Sequence, residues 1–351
     1  MWHNISDKLL QLAKSDQMDG QSLLDFYVNF VSSFELKINH LKLGRLIVEI
    51  SKKLPFTSTE GYSFVEKVYE ALSKQDKEAS CILKIEMAYW KLKETDLTAC
   101  KRLLGEAKET ITALGFVDNF VNAHYYRVYS NYLKHIDDPN EFYKNELLYL
   151  AYTPIEEIPN IEQQSIAFDL GIASLLGDNI YNFGEFLQHP VVESLNGSKA
   201  QWLYDLLLAF NKGDIRGYEQ LASKYANEID SRASLKEKKD FLYEKVQLMC
   251  LMELVFSKPA DDRNITFSEV SRITGKPLEE VEPLLLKSLA YDLIRGVIDG
   301  IKQSIHVRWA QPRVLDRGQI TVLKDKLGVW LGKVDDTLSF LKKHGSEDVT
   351  Q

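Results

Sequence analysis

One triplet in this chain has the residue types of a phosphate-binding site. Thr274-Gly275-Lys276 has the order found at the end of a nucleotide phosphate loop, where backbone N–H groups and a lysine hold the phosphates. The first glycine of such a loop would stand at position 270, which is Val270. Pro277 stands where a Ser or Thr would bind magnesium. The triplet therefore predicts a turn and not a nucleotide site.

The histidines and carboxylates form no catalytic or metal-binding pattern. The seven histidines are scattered, and none has a second His or a carboxylate at the spacing of a zinc site. His124 and His135 flank a helix with four tyrosines, where packing of the rings explains the pattern better than a metal does. The acidic pair Glu156-Glu157 lacks the apolar surroundings that would raise a carboxyl pKa for acid–base catalysis. We therefore expect no enzyme activity, no metal and no cofactor.

The composition is that of an ordinary globular protein with an acidic balance. Apolar residues make up 45% and charged residues 27% of the 351 residues, and the formal net charge is −8. This balance disfavours a general role on nucleic acid or anionic membranes. No apolar run reaches the roughly 18 residues of a membrane span. Cys81, Cys100 and Cys250 lie in apolar helical patterns, as reduced core cysteines do, so we expect a protein of the cytoplasm and nucleus.

The first 250 residues have the periodicity of helices joined by short turns. Ile82, Ile85 and Leu92 recur at helical spacing, and a turn at residues 94–96 leads to a partner helix. A similar pair spans Trp202 to Tyr225. Paired helices with short turns are typical of an α-solenoid, and the irregular periods indicate a TPR-like array and not strict tetratricopeptide repeats. The predicted fold class is mainly α, with a TPR-like helical-repeat solenoid.

The chain after position 250 has the pattern of two short helices followed by two strands. Ile265 to Val270 opens the first helix, Gly275 permits a tight turn, and Pro277 suits the first position of the second helix. Two β-like runs follow at residues 293–299 and 304–309, with Asp299-Gly300 at the start of the turn between them. This order predicts a winged-helix module with a small β-wing.

The second helix of this module has the wrong charge for DNA. Winged helices that bind DNA place this helix against phosphates, which favours Lys and Arg. Here Glu279, Glu280 and Glu282 outnumber Lys287. The module is therefore predicted to bind protein through the edge of its sheet, which offers backbone groups to a strand of another chain. The alternative is a nucleic-acid binder that uses four basic residues: Arg295, Lys302, Arg308 and Arg313.

The segment after Pro312 predicts a long helix with one apolar face. Six apolar residues fall on a heptad seam: Ile320, Leu323, Leu327, Trp330, Val334 and Leu341. Leu338 lies beside this seam. From residue 316 to 343 the helix would span about 42 Å, which is more than one small module can cover. Gly328 and Gly332 each cost roughly 1 kcal/mol of helix propensity, which packing must offset. The helix either folds back on its own chain or joins a bundle made by partner subunits.

Several runs of this sequence are similar to one family. Residues 252–259, 295–299 and 306–316 resemble the PCI domain of the proteasome non-ATPase regulatory subunit 13 family, a group of lid subunits of the 26S regulatory particle. The most specific run is Trp309-Ala310-Gln311-Pro312-Arg313-Val314-Leu315-Asp316, because a generic PCI domain shares the shape but not these residues. Residues 167–178 and 189–195 also resemble the family, and the resemblance is close from about Pro159 to Trp330.

The resemblance implies a non-catalytic scaffold of the proteasome regulatory particle lid that supports ubiquitin-dependent protein degradation. In that family the helical repeats radiate outward, the winged helices pack side by side, and the C-terminal helices gather into one bundle. The implied partners are other PCI and MPN subunits of the lid, with the ubiquitin-receptor subunit nearby, in a hetero-oligomer without nucleic acid or membrane. The alternative is a PCI scaffold of a sister complex, the signalosome or translation initiation factor three.

These patterns and the resemblance together predict three domains. N-terminal helical repeats occupy residues 1–153, the PCI domain residues 154–315, and a C-terminal helix for bundle assembly residues 316–351. Within the PCI domain, 154–249 is the helical part and 250–315 the winged helix. The predicted interface residues are apolar residues of the wing and of the C-terminal seam: Val297, Ile298, Ile305, Val307, Trp309, Ile320, Leu323, Leu327, Trp330, Val334, Leu338 and Leu341.

Overall fold

The computed structural model describes residues 8, 10, 20–32, 38–53, 57–259, 263–314 and 317–344. The chain divides into two compact units, Met1–Asp178 and Asn179–Gln351. The helix that begins at Asn160 therefore belongs to the first unit, although the predicted PCI domain begins before it, at residue 154. The predicted fold class is confirmed: helices dominate, and one small sheet lies in the second unit.

The first unit is an array of helices in which neighbours along the chain pack on each other. Its helices are α1 (Gly20–Asn29), α2 (His40–Lys53), α3 (Ser58–Leu72), α4 (Lys77–Lys93), α5 (Leu97–Leu114), α6 (Asn119–His135), α7 (Pro139–Tyr152) and α8 (Asn160–Leu176), with a 3₁₀ turn at Ile155–Glu157. Helix α4 packs on α3 and α5 and also on α2 and α6, so it lies at the centre of this core.

Two helix turns of the first unit share one local structure. Thr95 and Asp137 adopt left-handed backbone conformations, with φ of 62° and 55°. Each is followed by an aspartate, Asp96 or Asp138, whose side chain accepts a hydrogen bond from the backbone N–H three residues on. Such a cap stabilises a helix by roughly 0.5–2 kcal/mol. The predicted turn at 94–96 is confirmed, and its geometry recurs at the next helix pair.

A buried polar network joins three helices of the first unit. Trp90 Nε1 donates a hydrogen bond to Ser51 Oγ at 2.8 Å, and Ser51 Oγ donates to Glu86 Oε1 at 2.6 Å. His124 Nε2 lies 3.0 Å from Glu86 Oε2. Burial raises the pKa of Glu86, but His124 and Ser51 outweigh that effect, so its pKa lies below its usual value. The network fixes α2 and α6 against α4, because an unpaired buried carboxylate is costly.

A second buried carboxyl group lies in α7. Glu146 is almost wholly buried, and burial raises its pKa to about 7 from a usual 4.5; Ser130 and Lys134 oppose the shift only in part. A carboxyl with a higher pKa in the folded state holds its proton as the chain folds. Its contribution to stability is therefore present at acid pH and is lost as the pH rises through the folded-state pKa.

Replacing Glu146 by Gln should remove this dependence on pH. For the parent, we expect the free energy of unfolding to fall by roughly 2–3 kcal/mol, through this group, between pH 5 and 8. Denaturant unfolding followed by circular dichroism at each pH measures it. Glu141→Gln, on the same helix, is the control and should keep the slope of the parent. Equal slopes for parent and Glu146→Gln would contradict this account.

The helical part of the second unit precedes its sheet. It contains α9 (Gly184–Gln188), the 3₁₀ helix Pro190–Leu195, α10 (Gln201–Lys212), α11 (Ile215–Lys224), α12 (Ala226–Asp230), α13 (Ala233–Glu237) and α14 (Lys239–Ser257). Gly213, with φ of 62°, ends α10 and lies so close to α14 that an added Cβ would be 2.6 Å from Cys250 Cα. Asp214 then caps α11 through Gly217 N at 2.9 Å. The predicted helix pair at 202–225 is confirmed.

The winged-helix module follows, with three strands where two were predicted. Its elements are β1 (Asn264–Thr266), α15 (Phe267–Thr274), α16 (Leu278–Ala290), β2 (Ile294–Asp299) and β3 (Ser304–Ala310), in the antiparallel sheet order β1-β3-β2. Ile265 and Thr266 form β1 and not the start of a helix. Ile265 pairs with Ile305 of β3, and Thr266 caps α15 in a capping box with Glu269.

The last helix is α17 (Arg317–His344), which confirms the predicted long C-terminal helix. Among the helices that the structure describes, none combines the length and the apolar character needed to span a membrane.

Candidate protein-binding surfaces

Strand β2 forms an open edge of the sheet in the winged-helix module. It pairs with β3 on one side, and no described strand pairs with its other side. Val297 is 53% exposed and Ile301, in the turn after β2, is 98% exposed. Ile298 is half-buried. This edge therefore offers both backbone groups and apolar side chains, which is what strand addition from another chain requires.

The predicted interface residues of β3 do not lie on the open edge that β2 forms. Ile305 and Val307 lie on the inward face of β3, the central strand, and are buried in the core of the module, at 0% and 2% exposure. Trp309 is half-buried, and the Arg295 guanidinium lies 4.5 Å from the centre of its ring. Ile305 and Val307 are therefore core residues of the module and not contact residues. Alternation along a strand predicts two faces, but only the strand order decides which strand is an edge.

A close approach of two backbones sets the shape of the wing. The register of β2 on β3 shifts between Arg295 and Gly296, which is a β-bulge. A Cβ at Gly296 would collide with the carbonyl oxygen of His306, and the carbonyl carbon would lie only 3.1 Å away. Only glycine therefore fits here without opening the β2–β3 pair.

Several basic residues of the module pair with acids of the second unit, whereas Arg308 on β3 is exposed. Arg295 donates two hydrogen bonds to the carboxylate of Asp292, at 2.7 and 2.8 Å. Lys302 lies 3.6 Å from Asp299. Around α16 the ion pairs are Lys276–Glu280 at 2.8 Å and Lys287–Glu244 at 2.5 Å. The outer face of α16 still presents Glu279 and Glu282, so the face that reads DNA in other winged helices carries exposed acidic side chains here.

Arg313 anchors the segment that leads into α17. Its guanidinium donates a hydrogen bond to Glu253 at 3.0 Å and others to the backbone and side-chain oxygens of Asn211. Beside it, Val314 packs where a Cβ on Gly184 would stand. The sequence placed Arg313 in the family run and in the nucleic-acid alternative, and nothing near it in sequence points to these distant partners. Leu315 and Asp316, which end the most specific family run, lie outside the described residues.

Helix α17 carries a continuous apolar stripe in contact with solvent. The six seam residues and Leu338 are each between 42% and 63% exposed. Leu331, 58% exposed, follows Leu327 by one turn and widens the stripe; the heptad pattern missed it. Of the two alternatives for this helix, packing back on its own chain has no support among the described residues, because they leave the stripe exposed. The remaining prediction is that other polypeptides cover the stripe.

The cysteines are buried and reduced, and the described residues form no metal-ligand cluster. Burial raises the pKa of the Cys81 and Cys100 thiols to about 12, which keeps them protonated. Within the residues that the structure describes, no three His, Cys, Asp or Glu side chains lie together as metal ligands would. His124 lies beside Glu86, a partner that the sequence pattern did not indicate.

Comparisons with known proteins match nearly the whole chain. A family model described as PSD13 N-terminal repeats matches residues 1–207, and one described as PCI domain matches residues 222–309. The 26S proteasome non-ATPase regulatory subunit 13 homolog A of Arabidopsis thaliana is 40% identical over 344 residues, 96% of this chain and 89% of that protein. The 26S proteasome non-ATPase regulatory subunit 13 of Dictyostelium discoideum is 34% identical over 97% of this chain and 89% of its own length. Eukaryotic translation initiation factor 3 subunit M of Coccidioides immitis is 22% identical over 59% of this chain and 44% of its own length.

Gly296→Ala should open the wing. The new methyl group would clash with backbone atoms of β3, which cannot move without disturbing the pairing of the two strands. We therefore expect a loss of about 1–3 kcal/mol in the free energy of unfolding. Thermal unfolding measures it. Gly300→Ala is the matched control, because nothing lies within 4 Å of a Cβ at that position. Equal stability of the two variants would contradict the bulge geometry.

The chain should not bind duplex DNA. With Arg295, Lys302 and Arg313 paired and α16 acidic, we expect no saturable binding at low salt up to about 10 μM duplex, a concentration within the usual range of non-specific dissociation constants, roughly 1–100 μM at physiological salt. Fluorescence anisotropy of a labelled duplex measures it. A variant with Glu279→Lys and Glu282→Lys should bind more tightly than the parent. Micromolar binding by the parent, weakened steeply by salt, would instead favour the nucleic-acid alternative.

Proposed function

This chain belongs to the family of the 26S proteasome non-ATPase regulatory subunit 13, and we propose that it serves as a non-catalytic scaffold in the lid of the proteasome regulatory particle. It would support ubiquitin-dependent degradation by holding other subunits in place. Its partners would be other PCI and MPN subunits of the lid, with the ubiquitin-receptor subunit nearby, in a hetero-oligomer of the cytoplasm and nucleus.

The observation that carries this proposal is the uncovered stripe of α17. Burial of one large apolar side chain stabilises an assembly by roughly 1.5–3 kcal/mol, and seven large apolar residues lie along one face. The described part of the chain has nothing packed on them. A helix of this kind gains its stability from neighbouring helices, as in a bundle of several chains.

The edge of β2 supplies the second proposed contact. Its exposed side chains, Val297 and Ile301, flank a strand with one free side. The Arg295–Asp292 pair and the bulge at Gly296 fix the twist of this edge. We assign Val297, Ile298 and the exposed rim of Trp309 to this contact, and Ile305 and Val307 to the core that supports it. The predicted domain bounds at 153, 249 and 315 stand as part of the same proposal.

A scaffold role in a sister complex is the alternative. The match to a translation initiation factor 3 subunit favours it in part, because that protein shares 22% identity over 208 residues. The match covers less than half of that subunit, whereas the proteasome relatives match along 89% of their length. The proteasome therefore remains the proposed setting.

Loss of the seam should remove the chain from its assembly. We expect the double variant Leu327→Asp, Trp330→Asp to be incorporated at least about thirtyfold less than the parent, because two apolar anchors worth about 2 kcal/mol or more are lost. Each tagged form is purified from cells, and mass spectrometry of the co-purifying proteins measures incorporation. The parent should bring down proteasome lid subunits and not initiation-factor subunits.

The control is Ser339→Asp, which adds a charge on the same helix but outside the stripe. It should co-purify with the lid as the parent does, and circular dichroism should show all forms folded. Normal incorporation of the double variant, or of a chain that lacks residues 317–351, would refute the role of α17. Co-purification of initiation-factor subunits with the parent would favour the alternative.

A further inference from the structure

The charges beside the apolar seam of α17 are all of one sign. With Ile320, Leu327, Val334 and Leu341 at heptad position a, the flanking positions e and g hold Lys324, Lys326 and Lys333 and no acid. The aspartates of this helix, Asp325, Asp335 and Asp336, fall at positions f, b and c, away from the seam. The helix therefore presents an apolar stripe with a basic border and places its negative charge elsewhere.

The two borders differ. On the e side, Leu331 and Leu338 follow Lys324, so the apolar surface extends beyond the seam. On the g side, Lys326 and Lys333 lie one heptad apart and both are exposed, and Phe340 occupies the next g position. An apolar border suits close packing by a second neighbouring helix, whereas a basic border suits a neighbour with carboxylates.

Acidic residues of α17 itself do little to neutralise the charge of these lysines. No acid stands three or four residues from Lys324 or Lys326, the spacing at which side chains on one helix meet. Lys333 has Asp336 three residues on, but no ion pair joins them among the described residues. The positive border is therefore available to a partner.

We infer that the helix covering the α17 seam is a heterologous one that carries acidic residues along the border facing Lys326 and Lys333. This inference rests on the proposed function and adds the chemistry of the partner. Apolar packing gives the contact most of its affinity, and the border charges select which helix occupies it, since interfacial charges act mainly on specificity.

A second copy of this chain fits the border less well. In an antiparallel pair, g positions face g positions, which places lysine against lysine. In a parallel pair, each g position faces the e position five residues further on, so Lys326 and Lys333 would face Leu331 and Leu338 of the other copy. Neither arrangement gives these lysines an acidic partner.

Two synthetic peptides test the inference directly on the full chain. Each has 28 residues, the length of α17, and an identical Ile/Leu seam. One carries Glu at every e and g position and the other carries Lys. We expect the acidic peptide to bind at least about tenfold more tightly at low salt, by fluorescence anisotropy. The difference should shrink at about 1 M salt, where the Debye length is about 3 Å.

Charge reversal on the helix supplies the matched pair of variants. Lys326→Glu with Lys333→Glu should reverse the preference, so that the basic peptide binds more tightly. Asp325→Lys with Asp335→Lys, two reversals away from the seam, should keep the preference of the parent. Equal binding of the two peptides, no binding of either, or a preference unchanged by the border reversal would overturn the inference.

Failure of the inference and failure of the proposed function give different results. If the peptides bind equally while Leu327→Asp, Trp330→Asp still blocks incorporation, then charge selection is wrong and the scaffold role stands. If the peptide preference follows the lysines while that seam variant enters the lid normally, the scaffold role of α17 is wrong.

Discussion

Exclusion of apolar surface from water is the interaction on which the organisation of this protein depends. In the first unit, apolar side chains are buried within the unit itself, around α4. In α17 the apolar stripe from Ile320 to Leu341 remains in contact with solvent. Gly328 and Gly332 lower the intrinsic stability of the same helix, so its helical form depends on packing against other surfaces. The protein thus has folded units and one helix whose apolar stripe the described residues leave uncovered.

Buried or half-buried polar contacts anchor particular segments within each of the two units. Arg313 joins the residues before α17 to Glu253 and Asn211, and the Glu86 network holds the array of the first unit in one arrangement. Buried charges of this kind contribute little net stability, because desolvation offsets the attraction. Removing one partner is costly, however, and that penalty disfavours other packings. Rigidity of this kind suits a scaffold.

The distribution of charge distinguishes nucleic acid from protein as the partner of the winged-helix module. The wing has the shape of a nucleic-acid reader, yet Arg295, Lys302 and Arg313 are each paired with an acid of the same unit. A cation that is already paired with a carboxylate attracts a phosphate less strongly. The surface that remains is apolar at the β2 edge and acidic on α16, which favours polypeptide partners over polyanions.

The sequence alone determined what depends on local spacing. The heptad seam, the turn at 94–96 and the acidic second helix follow from residue types at fixed intervals, and each is present in the structure. Only the tertiary structure decided that Ile265 and Thr266 form a strand, that Ile305 lies in a central strand, and that Arg313 and Glu86 have partners. The physical reason is distance along the chain: periodicity records which face of an element is apolar, whereas strand order and buried polar partners depend on residues tens of positions away that only folding brings together.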